Sequence, residues 1–215
     1  LSFLPNNDPN TPLRRSVVRL WPSFAGQKQG LGLLGTGFVV KRQGDRAWIA
    51  TALHVVLASD DRRPATKVEA ELYTGPLPEG LEPPRLVVTP PASQGPGEGG
   101  DDLIILEVRG LPPDVQPLPL SAAQPAGADM LKVVGHYPRE TPWNVVPVTY
   151  LGALTEAASK ELKFAGVLDS GASGSPVLSA SGEVMAIVRT SMDVDGVKTK
   201  VISAYRALLL REKMP

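Results

Sequence analysis

Short apolar runs bounded by glycine and proline recur along most of the chain. Runs of this length, rich in Val, Ile and Leu and closed by turn residues, predict strands rather than helices. They fall at residues 16–20, 37–41, 47–51, 67–73, 85–89 and 103–108, then at 131–135, 144–151, 162–167, 176–178, 184–189 and 198–202. One segment, 204–213, carries a helical pattern instead: Ser203 can cap it, and Ala, Leu, Arg, Glu and Lys favour a helix. A short helical turn is expected after Thr51. Residues 1–13 read as an extended, proline-rich arm, and 90–100 (PPASQGPGEGG) as a loop with no capacity for a core. Prolines at 112, 113, 117, 119 and 125 mark a connection between two lobes. Many short strands with regular turns imply a sandwich or barrels.

Composition narrows the chemistry. The 215 residues include 42% hydrophobic ones, enough for a buried core. Twenty-two basic residues balance 22 acidic ones, so the basic excess that nucleic acids or anionic membranes select for is missing. There is no cysteine, which excludes disulfides, cysteine nucleophiles and cysteine-ligated zinc; two histidines, His54 and His136, are too few for a multi-histidine metal site. No cofactor or metal is expected. No apolar run is long enough to span a bilayer. A cysteine-free chain suits the cytosol and a bacterial envelope equally, so the compartment stays open. The segment ends shortly after the expected helix, which leaves room for fused or regulatory domains.

Three segments carry candidate chemistry in the order His, Asp, Ser. They are Thr51-Ala52-Leu53-His54, Asp101-Asp102-Leu103-Ile104-Ile105-Leu106 and Gly171-Ala172-Ser173-Gly174-Ser175-Pro176, the last preceded by Asp169 and Ser170. A serine hydroxyl needs a base to become a nucleophile, and histidine, which ordinarily titrates near neutrality, suits that task. An acid then fixes the imidazole tautomer. The developing oxyanion needs backbone N–H donors, and the glycines around Ser173 permit the turn that supplies them, with Gly171 and Ser173 as the expected donors.

These segments resemble the trypsin/chymotrypsin-like serine proteases, and especially their cysteine-free bacterial branch with Deg/HtrA-type and glutamyl endopeptidases. Thr51–His54 matches T-A-x-H, Asp102–Leu106 matches D-[LI]-x-[LI]-[LI], and Gly171–Pro176 matches G-x-S-G-[GS]-P. Gly35-Thr36-Gly37-Phe38 and Val133-Val134-Gly135-His136-Tyr137-Pro138 extend the likeness on either side. The chain order is that of chymotrypsin. The resemblance implies an all-β fold of two antiparallel six-stranded barrels with a C-terminal helix. In that frame residues 1–13 form the arm, 14–115 the first barrel with His54 and Asp102, 116–202 the second barrel with Ser173, and 203–215 the helix. It implies a serine endopeptidase acting on proteins or peptides through His54, Asp102 and Ser173.

Each residue also has a plainer reading. Ser173 alone would be a Gly-Ser turn, and His54 alone a buried histidine. Asp101 competes with Asp102, but the family pattern puts the acid directly before the apolar strand. His136 is expected to be structural, and Trp21, Trp48 and Trp143 to be packing residues. Trp143, in a proline-flanked loop, has pocket lining as its other reading. The family's pocket floor falls at Val167, and with Leu168 this suggests a small or apolar residue before the cut; Arg189 or Lys200 could instead select an acidic one. The residue before Ser173 is Ala172, so activation by an N-terminal amine pairing with an acid at that place is not expected. The alternative to an endopeptidase is a non-catalytic peptide-binding or scaffolding domain, and a second enzymatic one is an esterase.

Overall fold

The apolar runs become twelve strands in the computed structural model, which describes residues 8–26, 34–75, 77–89, 101–136, 143–153, 160–168, 170–194 and 197–215, with side chains at all of these but 193–199. The first six are β1 (Val17–Ser23), β2 (Gly35–Gln43), β3 (Arg46–Thr51), β4 (Lys67–Leu72), β5 (Arg85–Thr89) and β6 (Ile104–Arg109). They close in the order β1-β2-β3-β6-β5-β4. The second six are β7 (Leu131–Gly135), β8 (Asn144–Ala153), β9 (Glu161–Gly166), β10 (Pro176–Leu178), β11 (Val184–Val194) and β12 (Val197–Arg206), closed as β10-β11-β12-β9-β8-β7. All pairings between named strands are antiparallel. Closure gives each sheet's outer strands a partner and leaves no open edge.

Alternation explains why several strands are apolar on both faces. Leu20, Ile49, Ile104 and Leu106 fill the first barrel, while Trp48, Ala50 and Ile105 point the other way. The latter meet Val134, Leu178 and Ile187 of the second barrel in a core shared between the two. Leu162, Phe164, Val177 and Ile202 fill the second barrel. A strand serving two cores must be apolar at consecutive positions, hence Ile104-Ile105-Leu106.

Two expectations need correction. The C-terminal segment is strand to Arg206 and then a short 3-10 helix, Ala207–Glu212, not a helix from residue 204. Ser203 lies inside β12 and donates to Glu161 (2.9 Å) instead of capping. Pairing to both β11 and β9 outweighs local helix propensity there. The arm, in turn, holds a one-turn helix α1 (Thr11–Arg15), with Pro12 in its first turn. Arg15, 3% exposed, ties α1 to the first barrel through Asp114 (2.6 and 3.1 Å) and the Tyr73 carbonyl (2.6 Å). Residues 1–7 of the arm and the loop expected at 90–100 lie outside the described residues. The proline-rich connection runs along both barrels, Leu118 donating to Val39 and Ser121 to Val184.

Candidate active site

β3 ends at Thr51, and the expected helical turn follows as a 3-10 turn, Leu53–Val56, which lifts His54 to the barrel rim. Asp102 stands just before β6, the neighbour of β3. The two segments are bonded three times. The Leu53 N–H donates to the Asp102 carbonyl (3.2 Å), the His54 N–H to Asp102 Oδ1 (2.8 Å), and His54 Nδ1 pairs with Asp102 Oδ2 (2.6 Å). A carboxylate can only accept, so Nδ1 is the donor of this pair, which in a neutral ring leaves the lone pair on Nε2. Burial alone would raise the Asp102 pKa, but the His54 ring and amide bonds, with the Arg189 charge, outweigh it and hold the carboxyl below its usual range. Asp101 points elsewhere, to Lys160 Nζ (3.2 Å).

Ser173 is carried by a loop of the second barrel that is clasped by the first. Thr36 at the start of β2 is the clasp. Its N–H donates to the Ser173 carbonyl (2.8 Å) and its hydroxyl to the Gly171 carbonyl (2.8 Å), while Thr51 Oγ1 donates to the Thr36 carbonyl (2.7 Å). Close approach demands glycine at two positions. Gly174, at φ 85°, would set a Cβ 2.0 Å from the Thr36 carbonyl oxygen, and Gly171, at φ 101°, one 2.3 Å from that of His136. The Gly174 N–H donates to Val188 (2.8 Å) and that of Ser175 to Ala172 (2.9 Å). The N–H groups of Gly171 and Ser173 have no partner among the described residues, so both stay available to an anion. The Ser173 hydroxyl donates to the Arg189 carbonyl (3.1 Å), not to His54. Ala172 is buried in the second-barrel core. Asp169, expected in this turn, lies outside the described residues.

A cavity of about 170 Å³ opens beside Ser173, lined by Ser170, Ala172, Ser173, Val188, Thr190 and Ser191. None of the four residues expected to form a pocket is among its described lining. Val167 is 46% exposed, and Leu168 is buried in the second-barrel core. Arg189 reaches Asp102 Oδ2 (3.7 Å) and Glu161 Oε1 (2.9 Å). Lys200 lies on β12 opposite Gly166. A register shift in β11 lies between Val188 and Thr190, and both residues belong to the cavity lining. The sequence signal was the polar Thr190-Ser191 pair following an apolar run.

His136 is fully buried, its ring edge-on to Trp143 at 4.6 Å. Nδ1 accepts the Trp143 backbone N–H (3.2 Å), and Nε2 has no hydrogen-bond partner among the described residues. Burial, then the Arg19 charge, pushes its pKa down to about 3 against a weaker opposing effect of the Val18 backbone. Trp143 packs in the shared core and donates from its indole to the Val17 carbonyl (2.8 Å). It also lines a second cavity with Glu71, Tyr73, Leu77 and Pro83. Trp48 is buried, and Trp21 donates to Glu71 (2.7 Å) between the guanidiniums of Arg19 and Arg85. No cluster of three or more metal-ligating side chains occurs among the described residues, and no described helix is long and apolar enough to cross a membrane.

The sequence matches the trypsin-like peptidase domain over residues 35–187. The fold is similar to the active form of the Rv3671c protease from Mycobacterium tuberculosis (TM-score 0.65, 23% identity, 95% of this chain and 85% of that one). It is also similar to an inactive form of the same protease (0.58, 21%, 95% and 93%). The serine endoprotease of Yersinia pestis gives 0.65 at 16% identity, over 97% of this chain and 65% of that one. No curated protein sequence matches this chain.

Proposed function

Because the chain belongs to the trypsin-like peptidase family and is a serine protease of that kind, we propose that it is an endopeptidase working through His54, Asp102, Ser173 and an acyl-enzyme. The observation that carries this reading is the double hydrogen bond of Asp102 to the ring and main chain of His54. With Nδ1 engaged by Asp102, Nε2 is the ring atom left to take a proton from Ser173.

The reaction follows from that arrangement. The Ser173 hydroxyl turns from the Arg189 carbonyl to His54 Nε2, a change within the slack that unliganded sites commonly keep. Oγ attacks the peptide carbonyl as its proton passes to Nε2. The carbonyl oxygen becomes an oxyanion and accepts from the N–H groups of Gly171 and Ser173, both without a partner among the described residues. The imidazolium, stabilised by Asp102, protonates the leaving amine, and the acyl group stays on Oγ. Water then repeats the sequence, giving the new carboxylic acid and free Ser173. Protein side chains, backbone amides and water supply every step.

The test is a serine-directed fluorophosphonate probe with a peptide assay alongside. The wild type should be labelled once, at Ser173, and should cleave internal bonds of an end-blocked peptide. Ser173→Ala should stay folded, lose labelling, and lose peptidase activity by up to ~10⁶-fold, since only binding and oxyanion stabilisation remain. Labelling that survives in Ser173→Ala would sink the assignment. An unlabelled wild type that still binds peptides would make the domain a scaffold.

A further inference from the structure

The acid of the site does not face His54 alone. Arg189, on the shifted stretch of β11, brings its guanidinium to Asp102, with Nε 3.7 Å from Oδ2, the same oxygen that holds the His54 ring. Its other end, Nη1, is 2.9 Å from Glu161 Oε1 on β9, and its Cζ lies 5.7 Å from the centre of the Tyr205 ring on β12. Glu161 is itself held, by the Ser203 hydroxyl (2.9 Å) and by Lys163 Nζ (3.7 Å). Thr190 and Ser191, which follow on β11, are uncharged, and Lys160 is paired with Asp101. The groups thus form a chain of alternating charge from one barrel to the other: His54, Asp102, Arg189, Glu161.

We propose that Arg189 is a positioning residue for catalysis, whose charge, balanced by Glu161, sets how strongly Asp102 attracts the proton on His54. This rests on the triad reading above. A guanidinium beside Oδ2 takes a share of the carboxylate's attraction and repels an imidazolium. A carboxylate behind the guanidinium cancels part of that effect. Arg189 is also unsuited to selecting an acidic substrate residue, because its guanidinium is already committed to two carboxylates of the protein.

The two substitutions therefore act with opposite sign. Arg189→Met removes the positive charge and favours the imidazolium, so the acid limb of activity moves to higher pH. Glu161→Gln leaves Arg189 uncompensated, so that limb moves to lower pH. Each displacement should be roughly 0.3–0.7 of a pH unit, the scale of a partly exposed charge pair. Arg189→Lys, which keeps the charge, should restore most of the wild-type position.

The readout is the second-order rate of fluorophosphonate labelling of the chain between pH 5 and 9, with folding followed by circular dichroism. Labelling reports the serine–histidine pair without depending on substrate affinity. Displacements of opposite sign, with rescue by lysine, support the proposal. A common limb in all variants overturns it, and so do displacements of the same sign, which would mark a structural role. Should Arg189→Met fail to fold, Glu161→Gln decides alone: no downward displacement overturns the proposal. If the wild type is not labelled at Ser173 at any pH, the triad reading itself fails, which is a different result.

Discussion

Acid should destabilise this protein through a residue that takes no part in the chemistry. His136 is enclosed between the barrels with an unprotonated Nδ1 accepting from Trp143, and its pKa is pushed down to about 3 by burial, then by Arg19. In the unfolded chain a histidine titrates at about 6.5. Above that pH neither state binds the proton, and the full contribution of the neutral ring to stability is present. Below it the unfolded chain gains a proton that the folded one refuses, so stability falls by about 1.4 kcal/mol per pH unit until the pH reaches the folded value. Between pH 6.5 and 5 this amounts to about 2 kcal/mol, a large part of the margin of an ordinary domain. The assay is urea unfolding at pH 7, 6 and 5, followed by tryptophan fluorescence in the Ser173→Ala background to prevent self-cleavage. The comparison is with His136→Asn, which keeps an acceptor near the Trp143 N–H but cannot titrate. The asparagine variant will start less stable at pH 7, yet its stability should decline less on acidification, the difference reaching about 2 kcal/mol by pH 5. Carboxylates such as Asp114, whose bond from Arg15 holds its pKa low, respond only at lower pH and are common to both proteins. Parallel pH curves for the two would refute the reasoning.

Two further outcomes follow from the loop and the cavity. Gly174→Ala forces a methyl onto the Thr36 carbonyl at a positive φ, and should cost ~2 kcal/mol or more of stability and abolish fluorophosphonate labelling; a labelled variant of normal stability would contradict the clasp. A peptide-library profile should favour small residues before the cut, because the cavity beside Ser173 is small and no acid is among its described lining; dominance of Lys or Arg there would show that the described lining does not set specificity.

Strand positions were legible because alternation and glycine or proline punctuation are local. Ile104-Ile105-Leu106 announced a strand between two cores without any knowledge of its partners. His54, Asp102 and Ser173 could be singled out because each sits in its own short motif, and the structure brings the first two into contact. What stayed hidden depends on pairing between distant segments. Ala204–Arg206 carries helix-forming residues, and only the ladder to Ala186 and Glu161 makes it a strand. The contact of Arg189 with Asp102 and Glu161 joins β11, the start of β6 and β9, which no spacing reveals. Thr36 was visible as part of a glycine-rich strand motif, but its bonds to Gly171 and Ser173 cross 135 residues of sequence in one case. Pocket lining was expected at Val167, whereas the described lining includes Val188, Thr190 and Ser191, set beside Ser173 by strand pairing that no spacing reveals.

The clasp at Thr36 also orders events in time. A ribosome delivers the chain from its N terminus, so His54 and Asp102 emerge well before Ser173, and Thr36 must wait for Gly171, 135 residues on. The serine loop is not held until Val188 and Arg189 have followed, since their carbonyls anchor Gly174 and the Ser173 hydroxyl. Contacts that close so long a span form late in folding. On the proposed function, the cutting centre is thus among the last parts of the molecule to be assembled, and a half-made chain would have no blade to turn on itself or on its neighbours.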